Sequence, residues 1–191
     1  MEKFTRYAIA VTIAMLFSSC SSKSIDARSK NIAQTPANDT IRSEYTSLDE
    51  SCKTIEVNEE TSDTKQACSG YNNIPVLVSQ TDGRYYVNIG DTGKNEGLSF
   101  AFNHLGEKLE WRLQGDKPFA AIYRYYIDGA SEKPIGSSVL AVQKISRNEG
   151  ECIAGVVDGN LPNANEVARR FADEKIADFE CGVDSREEIS N

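Results

Sequence analysis

The stretch Phe119–Ile127 reads FAAIYRYYI and is the longest strand that the sequence predicts. Aromatic and β-branched side chains favour strands because they pack well on a pleated, half-buried surface. Successive side chains of a strand point to opposite faces, so Tyr123 and Tyr125 share one face while Arg124 and Tyr126 share the other. We predict that the two tyrosines Tyr123 and Tyr125 point into the core.

Segments on either side of this strand also alternate or contain the residues that favour strands. Leu109, Trp111 and Leu113 alternate with charged residues, which is typical of a strand with one buried face. Thr81-Asp82-Gly83 is a hairpin turn signal, and closely spaced strands of this kind favour antiparallel pairing over β-α-β units. The predicted strands are Thr54–Val57, Ile74–Val78, Arg84–Ile89, Leu98–Phe102, Leu109–Leu113, Phe119–Ile127, Ser137–Ile145 and Cys152–Val157. Ile74–Val78 is expected at a sheet edge, because Pro75 has no N–H to donate to a neighbouring strand.

One helix is predicted near the C-terminus. Asn163 stands at its N-cap position, and Glu166 follows three residues later, as in a capping box. The apolar residues recur at near-helical spacing, and Gly182 can terminate the run. These apolar residues are Val167, Phe171, Ile176 and Phe179. We expect the helix to pack across an antiparallel sheet of about six to eight strands, which gives an α+β fold in two layers.

The N-terminus has the pattern of an export signal. Lys3 and Arg6 give a positive start, and the apolar run Ala8–Phe17 that follows is shorter than the ~20 residues that span a bilayer. Phe17-Ser18-Ser19-Cys20 resembles the lipobox of bacterial lipoproteins, although Phe17 stands where Leu is usual. The resemblance implies a signal peptide at 1–19 and a mature N-terminus at lipid-modified Cys20. Soluble secretion, with cleavage between residues 19 and 22, is the alternative.

The lipoprotein resemblance also implies a place in the cell. It predicts that the protein is anchored in the membrane through Cys20, on the periplasmic side of the cell envelope. Ser21 follows Cys20 where an Asp favours the inner membrane in some bacteria, so the outer membrane is the expected location.

The cysteine count agrees with this interpretation. The chain has five Cys, and an exported protein with an odd number needs a role for the remaining one. If Cys20 carries lipid, four remain that can close two disulfides in an oxidising compartment. We favour Cys52–Cys68 with Cys152–Cys181 among the three possible pairings, because each bridge then closes a short loop. A metal site is disfavoured, since no CxxC is present and no His lies near a Cys.

The chain after the signal divides by composition. Residues 20–47 are polar and predict a flexible tether, because they can bury too little apolar surface to offset the entropy of ordering. Residues 48–183 are expected to form a single domain, and 184–191 a disordered tail.

Several short motifs resemble a group of small, uncharacterised exported proteins of Gram-negative bacteria. The similarity spans roughly Tyr45 to Gly182, and it implies an envelope location and a compact disulfide-bonded domain but no particular activity. The motifs are Ser47-Leu48-Asp49, Cys68-Ser69-Gly70-Tyr71, Ile74-Pro75-Val76, Glu110-Trp111-Arg112-Leu113 and Val167-Ala168-Arg169-Arg170.

Charge narrows the classes of partner. Lys and Arg number 21 against 29 Asp and Glu, a net charge of −8, which argues against nucleic acid as the partner.

If the strand faces are as predicted, three arginines and two tyrosines share the face opposite the core and form a recognition surface for an anionic ligand or a partner protein. These residues are Arg84, Tyr86, Arg112, Arg124 and Tyr126. An exposed face with ordinary cross-strand pairs is the alternative.

Catalytic motifs are absent from the sequence. It contains no GxSxG, no HExxH and no Gly-rich phosphate loop, and we predict neither cofactor nor metal. The single His of the chain, His104, is most simply a loop residue. The alternative to a binding protein is a periplasmic, hydrolase-like enzyme that uses His104 with a carboxylate such as Glu107 or Glu110.

Overall fold

The computed structural model describes residues 40–90, 98, 102–129, 134–146 and 151–190. All of these belong to one compact unit, Thr35–Asn191. The predicted signal peptide, Cys20 and residues 21–39 of the tether lie outside the described residues, as does most of the predicted strand Leu98–Phe102.

The described residues form ten strands and one α-helix. Their bounds are β1 Ile41–Ser47, β2 Cys52–Val57, β3 Thr64–Ser69, β4 Pro75–Thr81, β5 Arg84–Ile89, β6 Asn103–Gln114, β7 Lys117–Ile127, β8 Ser138–Lys144, β9 Cys152–Asp158, α1 Ala164–Lys175 and β10 Glu187–Ile189. Six strands form one sheet in the order β1-β6-β7-β8-β9-β10, and four form another in the order β2-β3-β4-β5. Neighbouring strands are antiparallel except β9 and β10, which are parallel.

The predicted α+β class is confirmed, but the fold has three layers where two were expected. One core lies between the two sheets and contains Trp111, Tyr123, Tyr125 and Val87, none more than 1% exposed. A second core lies between the other face of the six-stranded sheet and α1. Local alternation shows that a strand has a buried face, but it does not show which strands share a sheet, and this is why the second sheet was missed.

The second core depends on a close approach of helix and sheet. The ring of Phe171 on α1 occupies the space next to Gly155 on β9, and a Cβ at Gly155 would lie 2.5 Å from the Cε1 of Phe171. Burying a side chain of this size stabilises the folded state by about 1.5–3 kcal/mol. Gly155 therefore sets how near α1 lies to the sheet.

Both ends of the predicted domain need correction. β1 lies within the predicted tether and pairs along its length with β6, and β10 lies within the predicted tail and pairs with β9. β1 is polar, and its ordering comes from hydrogen bonds: the indole N–H of Trp111 donates to Thr46 at 2.9 Å. A strand held this way has no apolar alternation to reveal it.

The predicted edge position of β4 is also wrong. β4 lies between β3 and β5 in the four-stranded sheet. Pro75 is its first residue and pairs with Ser69 at the end of β3. The missing N–H of Pro75 therefore falls where a strand tolerates its loss.

Both predicted disulfides are present. Cys52 lies directly opposite Cys68 across β2 and β3, and Cys152 at the start of β9 is bonded to Cys181 after the helix. On the chain-entropy account, each bridge stabilises the fold by ~3 kcal/mol.

The helix begins where the sequence predicts and ends earlier. Asn163 is its N-cap, but the Asn163 side chain makes no capping hydrogen bond, so the capping-box prediction is wrong. The helix ends at Lys175, and both Ile176 and Phe179 nevertheless remain buried in the second core. The apolar spacing therefore predicted correctly which residues are buried, although two of them lie after the end of the helix.

Candidate binding groove

A groove lies on the helix side of the six-stranded sheet, where the sheet extends beyond α1. A strand advances about 3.3 Å per residue and a helix 1.5 Å, so twelve residues of β6 are more than twice as long as the twelve of α1. The uncovered part of the sheet encloses a cavity of about 560 Å³. Its walls come from β1, β6, β7 and α1, chiefly through Tyr45, His104, Glu110, Arg124, Tyr126 and Arg169.

An irregularity in β6 shapes the floor of the groove. Leu105 pairs with Tyr125 and Leu109 with Tyr123, so the three residues 106–108 of β6 face Arg124 alone on β7. Bulges of this kind bend a strand and redirect its side chains, and they are common next to functional sites. The backbone here is thus adapted to form a concave surface.

Arg124 is the most distinctive residue of the groove. Its Nη1 donates to the hydroxyl of Ser138 at 2.7 Å and to the carbonyl of Gly159 at 3.4 Å, and its Nη2 donates to the side-chain oxygen of Asn165 at 3.1 Å. A guanidinium has five N–H donors, so at least two remain for a ligand. Within the described part of the chain, no carboxylate pairs with Arg124.

Only a glycine at position 159 leaves room for the Arg124 guanidinium in this position. A Cβ at Gly159 would lie 2.5 Å from the Nη1 of Arg124 and would also collide with the hydroxyl of Ser138. The guanidinium is therefore held in one position by neutral acceptors that leave its charge uncompensated.

An aromatic pair forms another part of the wall. The rings of His104 and Tyr126 stack with their centroids 4.9 Å apart and their planes at 18°. The Nδ1 of His104 lies 2.7 Å from a carboxylate oxygen of Asp128. Since a carboxylate only accepts, Nδ1 carries the proton, and the Nε2 of a neutral ring is then an acceptor. Asp128 was not among the predicted partners of His104.

The predicted partner Glu110 has a different role. Its carboxylate, which is buried, accepts from the Nε of Arg169 at 2.6 Å and from Nη2 at 3.2 Å, and it also accepts from the hydroxyl of Ser43. The neighbouring Arg112 donates to Ser43 at 2.6 Å and forms a two-contact ion pair with Asp173 on α1, at 2.9 and 2.6 Å. This charged network joins α1 to β1 and β6.

Arg169 on α1 also lines the groove. The carboxylate of Glu110 raises the pKa of Arg169, whose Nη2 also donates to the hydroxyl of Tyr45 at 3.1 Å. Arg169 on α1 therefore contacts two strands of the sheet, β1 through Tyr45 and β6 through Glu110.

The five predicted binding residues do not lie together in the structure. Arg124 and Tyr126 line the groove, whereas Arg112 lies buried beneath α1 in its ion pair. Arg84 and Tyr86 lie on β5 in the other sheet, where the Arg84 guanidinium sits 5.6 Å from the ring centroid of Phe102. The predicted recognition surface is therefore not continuous, and only two of its five residues belong to the groove.

Three groove-side residues were missed by the sequence analysis. Tyr45 falls within the predicted tether, and no local pattern gives Arg169 or Asp128 a role in binding. Tyr45 and Arg169 are 124 positions apart in sequence. Only the pairing of β1 with β6 brings Tyr45 to the groove, and no local pattern signals it.

Among the described residues that line the groove there is no Ser, Thr or Cys, and the hydroxyls that they contribute are those of tyrosines. No cluster of three or more His, Cys, Asp or Glu side chains able to hold a metal ion occurs in the described ranges. Among the same residues, no helix is long and apolar enough to cross a bilayer.

Comparisons of the chain with protein-family models, with curated protein sequences and with solved structures find no match.

Proposed function

We propose that this protein is a non-enzymatic envelope protein, lipid-anchored at Cys20, whose groove binds an anionic ligand that is either free or carried by a partner protein. The observation that carries the proposal is Arg124, a fixed guanidinium with unused donors and no carboxylate partner in the described part of the chain. A planar fork of this kind suits carboxylate and phosphate groups.

The surroundings of Arg124 support binding. Tyr126 and Tyr45 are exposed and both line the groove, and tyrosine offers large contact area at low cost in side-chain entropy. The cavity volume falls within the range of ~300–1,000 Å³ that is usual for small-molecule sites. The groove can therefore hold an organic anion and not only an inorganic ion.

The disulfides support the proposed location. Bridges such as Cys52–Cys68 and Cys152–Cys181 persist in exported proteins and are rare in the cytosol. With four Cys paired, Cys20 is left for the lipid that the lipobox resemblance implies.

The test is calorimetric titration of the full chain, purified in a mild detergent, with acetate, benzoate and phenyl phosphate. We expect saturable binding of at least one anion, and at least a tenfold loss of affinity in Arg124→Gln. Arg84→Gln is the matched control, since Arg84 lies on the other sheet and should leave binding unchanged. Equal affinity in the unmodified chain and in Arg124→Gln would refute the proposal.

A second candidate is the hydrolase-like enzyme. The hydrogen bond between His104 and Asp128 favours it, because a carboxylate that orients a His is typical of general-base sites. Since the described residues of the groove lining include no Ser, Thr or Cys, the nucleophile that His104 activates would be water. Hydrolysis of an ester or amide panel that His104→Gln abolishes would favour this enzyme over the binding protein.

A further inference from the structure

The charges around the groove indicate how much negative charge a ligand should carry. Three cationic and two anionic side chains line it, which leaves one positive charge when His104 is neutral. These side chains are Lys108, Arg124, Arg169, Glu107 and Glu110. Glu110 already compensates Arg169, which leaves Lys108, Arg124 and Glu107 with a net charge of one positive unit. Of the two remaining cations, Arg124 is the one that neutral acceptors hold in place. A carboxylate carries one negative charge, whereas a phosphate monoester carries about 1.5–2 at neutral pH.

The free N–H donors of Arg124 also favour a carboxylate over a phosphate. With Nη1 committed to Ser138 and Gly159, the donors left over are Nε and part of Nη2. Those two atoms form one edge of the guanidinium plane, and two parallel N–H groups match the two oxygens of a carboxylate. A tetrahedral phosphate has a third oxygen that these two donors do not reach, and the groove that would surround it also contains the carboxylates of Glu107 and Glu110.

The aromatic walls indicate what the carboxylate is attached to. Tyr45 is 53% exposed and Tyr126 37% exposed, and both line the groove together with Arg124. Because His104 stacks on Tyr126 and is itself held by Asp128, the Tyr126 ring has a fixed orientation before any ligand arrives. A flat apolar group attached to the carboxylate would contact rings that are already ordered. Binding would therefore cost little side-chain entropy.

We infer that the ligand of this groove is an aromatic carboxylate: its carboxylate pairs with the free edge of Arg124 and its ring contacts Tyr126 and Tyr45. This inference rests on the proposed function, and it names the class of anion that the groove selects. A free aromatic acid and the C-terminus of a polypeptide that ends in an aromatic residue share this chemistry.

The experiment uses the full chain in mild detergent and matched probes. N-acetyl-tyrosine is compared by calorimetry with N-acetyl-tyrosine amide, which lacks only the charge, with acetate, which lacks the ring, and with phenyl phosphate, which changes the anion. We expect N-acetyl-tyrosine to bind at least tenfold more tightly than each of the other three. A short peptide with a C-terminal tyrosine then distinguishes the sources, since tighter binding of the peptide indicates a polypeptide ligand.

Two variants assign the contacts. Arg124→Gln should reduce the affinity for N-acetyl-tyrosine at least tenfold, and Tyr126→Leu should reduce it about threefold without changing the affinity for acetate. If Arg124→Gln does not fold, the comparison of acid with amide on the unmodified chain still decides the question.

The outcomes separate the two proposals. Tighter binding of phenyl phosphate than of N-acetyl-tyrosine, with dependence on Arg124, would overturn the carboxylate inference and leave the proposed function intact. Equal binding of acid and amide would also overturn the inference. No binding of any anion would overturn both.

Discussion

Arg169 on the helix and Glu110 on β6 form a two-contact ion pair, with 2.6 Å between Nε and Oε1 and 3.2 Å between Nη2 and Oε2. The carboxylate is 9% exposed and the guanidinium 36%, so the pair lies at the boundary between the second core and the groove. This pair both fixes the position of α1 and neutralises Arg169, whereas Arg124 has only neutral acceptors among the described residues.

The first prediction concerns this ion pair. Glu110→Gln should lower the free energy of unfolding by about 2 kcal/mol, because hydrogen bonds to charged groups contribute about 1.5–3 kcal/mol and the buried site cannot rehydrate fully. Urea unfolding at neutral pH measures the change. Arg42→Gln is the control: Arg42 forms ion pairs with Glu44 and Asp116 at the surface, and the loss of such exposed pairs should change the free energy of unfolding far less. Equal costs for the two variants would contradict this account of Glu110.

The second prediction concerns the contact between helix and sheet. Gly155→Ala should destabilise the fold by about 1–3 kcal/mol, because its Cβ would overlap the ring of Phe171 and push α1 away. Gly106→Ala is a suitable control, since a Cβ at Gly106 would come no closer than 3.4 Å to the Arg124 side chain, which is near ordinary contact. Thermal unfolding of both variants measures the difference, and a neutral Gly155→Ala would show that α1 can shift freely on the sheet.

The third prediction concerns the lipid anchor. Cys20→Ser should abolish incorporation of labelled fatty acid and release the protein from the membrane fraction, because a serine cannot form the thioether that carries the acyl chains. Ser19→Ala is the matched control and should keep the label, since alanine is also small. Retention of label and of membrane association by Cys20→Ser would instead indicate an uncleaved signal segment as the anchor.

Much of the fold could be predicted because apolar alternation is a local signal. The predicted strand Arg84–Ile89 coincides with β5, and both disulfides follow from counting cysteines and preferring short loops. The strands that were missed, β1, β3 and β10, carry few buried apolar side chains. These strands form because they pair with strands that are distant in sequence, and the composition of a segment does not reveal such pairing.

The groove was only partly predictable for the same reason. Arg124 and Tyr126 follow from alternation within a single strand, and both line the groove. Arg112 has the same alternation but lies beneath α1, because the helix covers one half of that face and leaves the other open. Which half is covered depends on the length and placement of α1, and these are properties of the tertiary structure.

The last prediction concerns Glu151, a buried carboxyl group outside the groove. It lies beside the end of β5, where a Cβ at Gly90 would come within 2.7 Å of its Oε1, and its Oε2 has no hydrogen-bond partner among the described residues. Burial raises the pKa of Glu151 from 4.5 to about 7, and a hydrogen bond from the backbone of Ile89 opposes this only in part.

The sign of the pH effect follows from this shift. Between about pH 4.5 and 7 the folded protein keeps the proton of Glu151 while the unfolded chain has lost it, so stability falls as the pH rises through this window. The loss should be about 2–3 kcal/mol, since one pKa unit corresponds to about 1.4 kcal/mol and the site is not fully shielded from water. Glu151→Gln removes the charge, so its stability relative to the unmodified protein should rise by this amount from pH 4.5 to 8.

Urea unfolding of both proteins across this pH range measures the effect. Glu174→Gln, at an exposed position of α1, is the control and should differ from the unmodified protein by a nearly constant amount at every pH. If the difference between Glu151→Gln and the unmodified protein were equally constant, Glu151 would ionise as freely in the folded state as in the unfolded chain, and its burial would have no influence on stability.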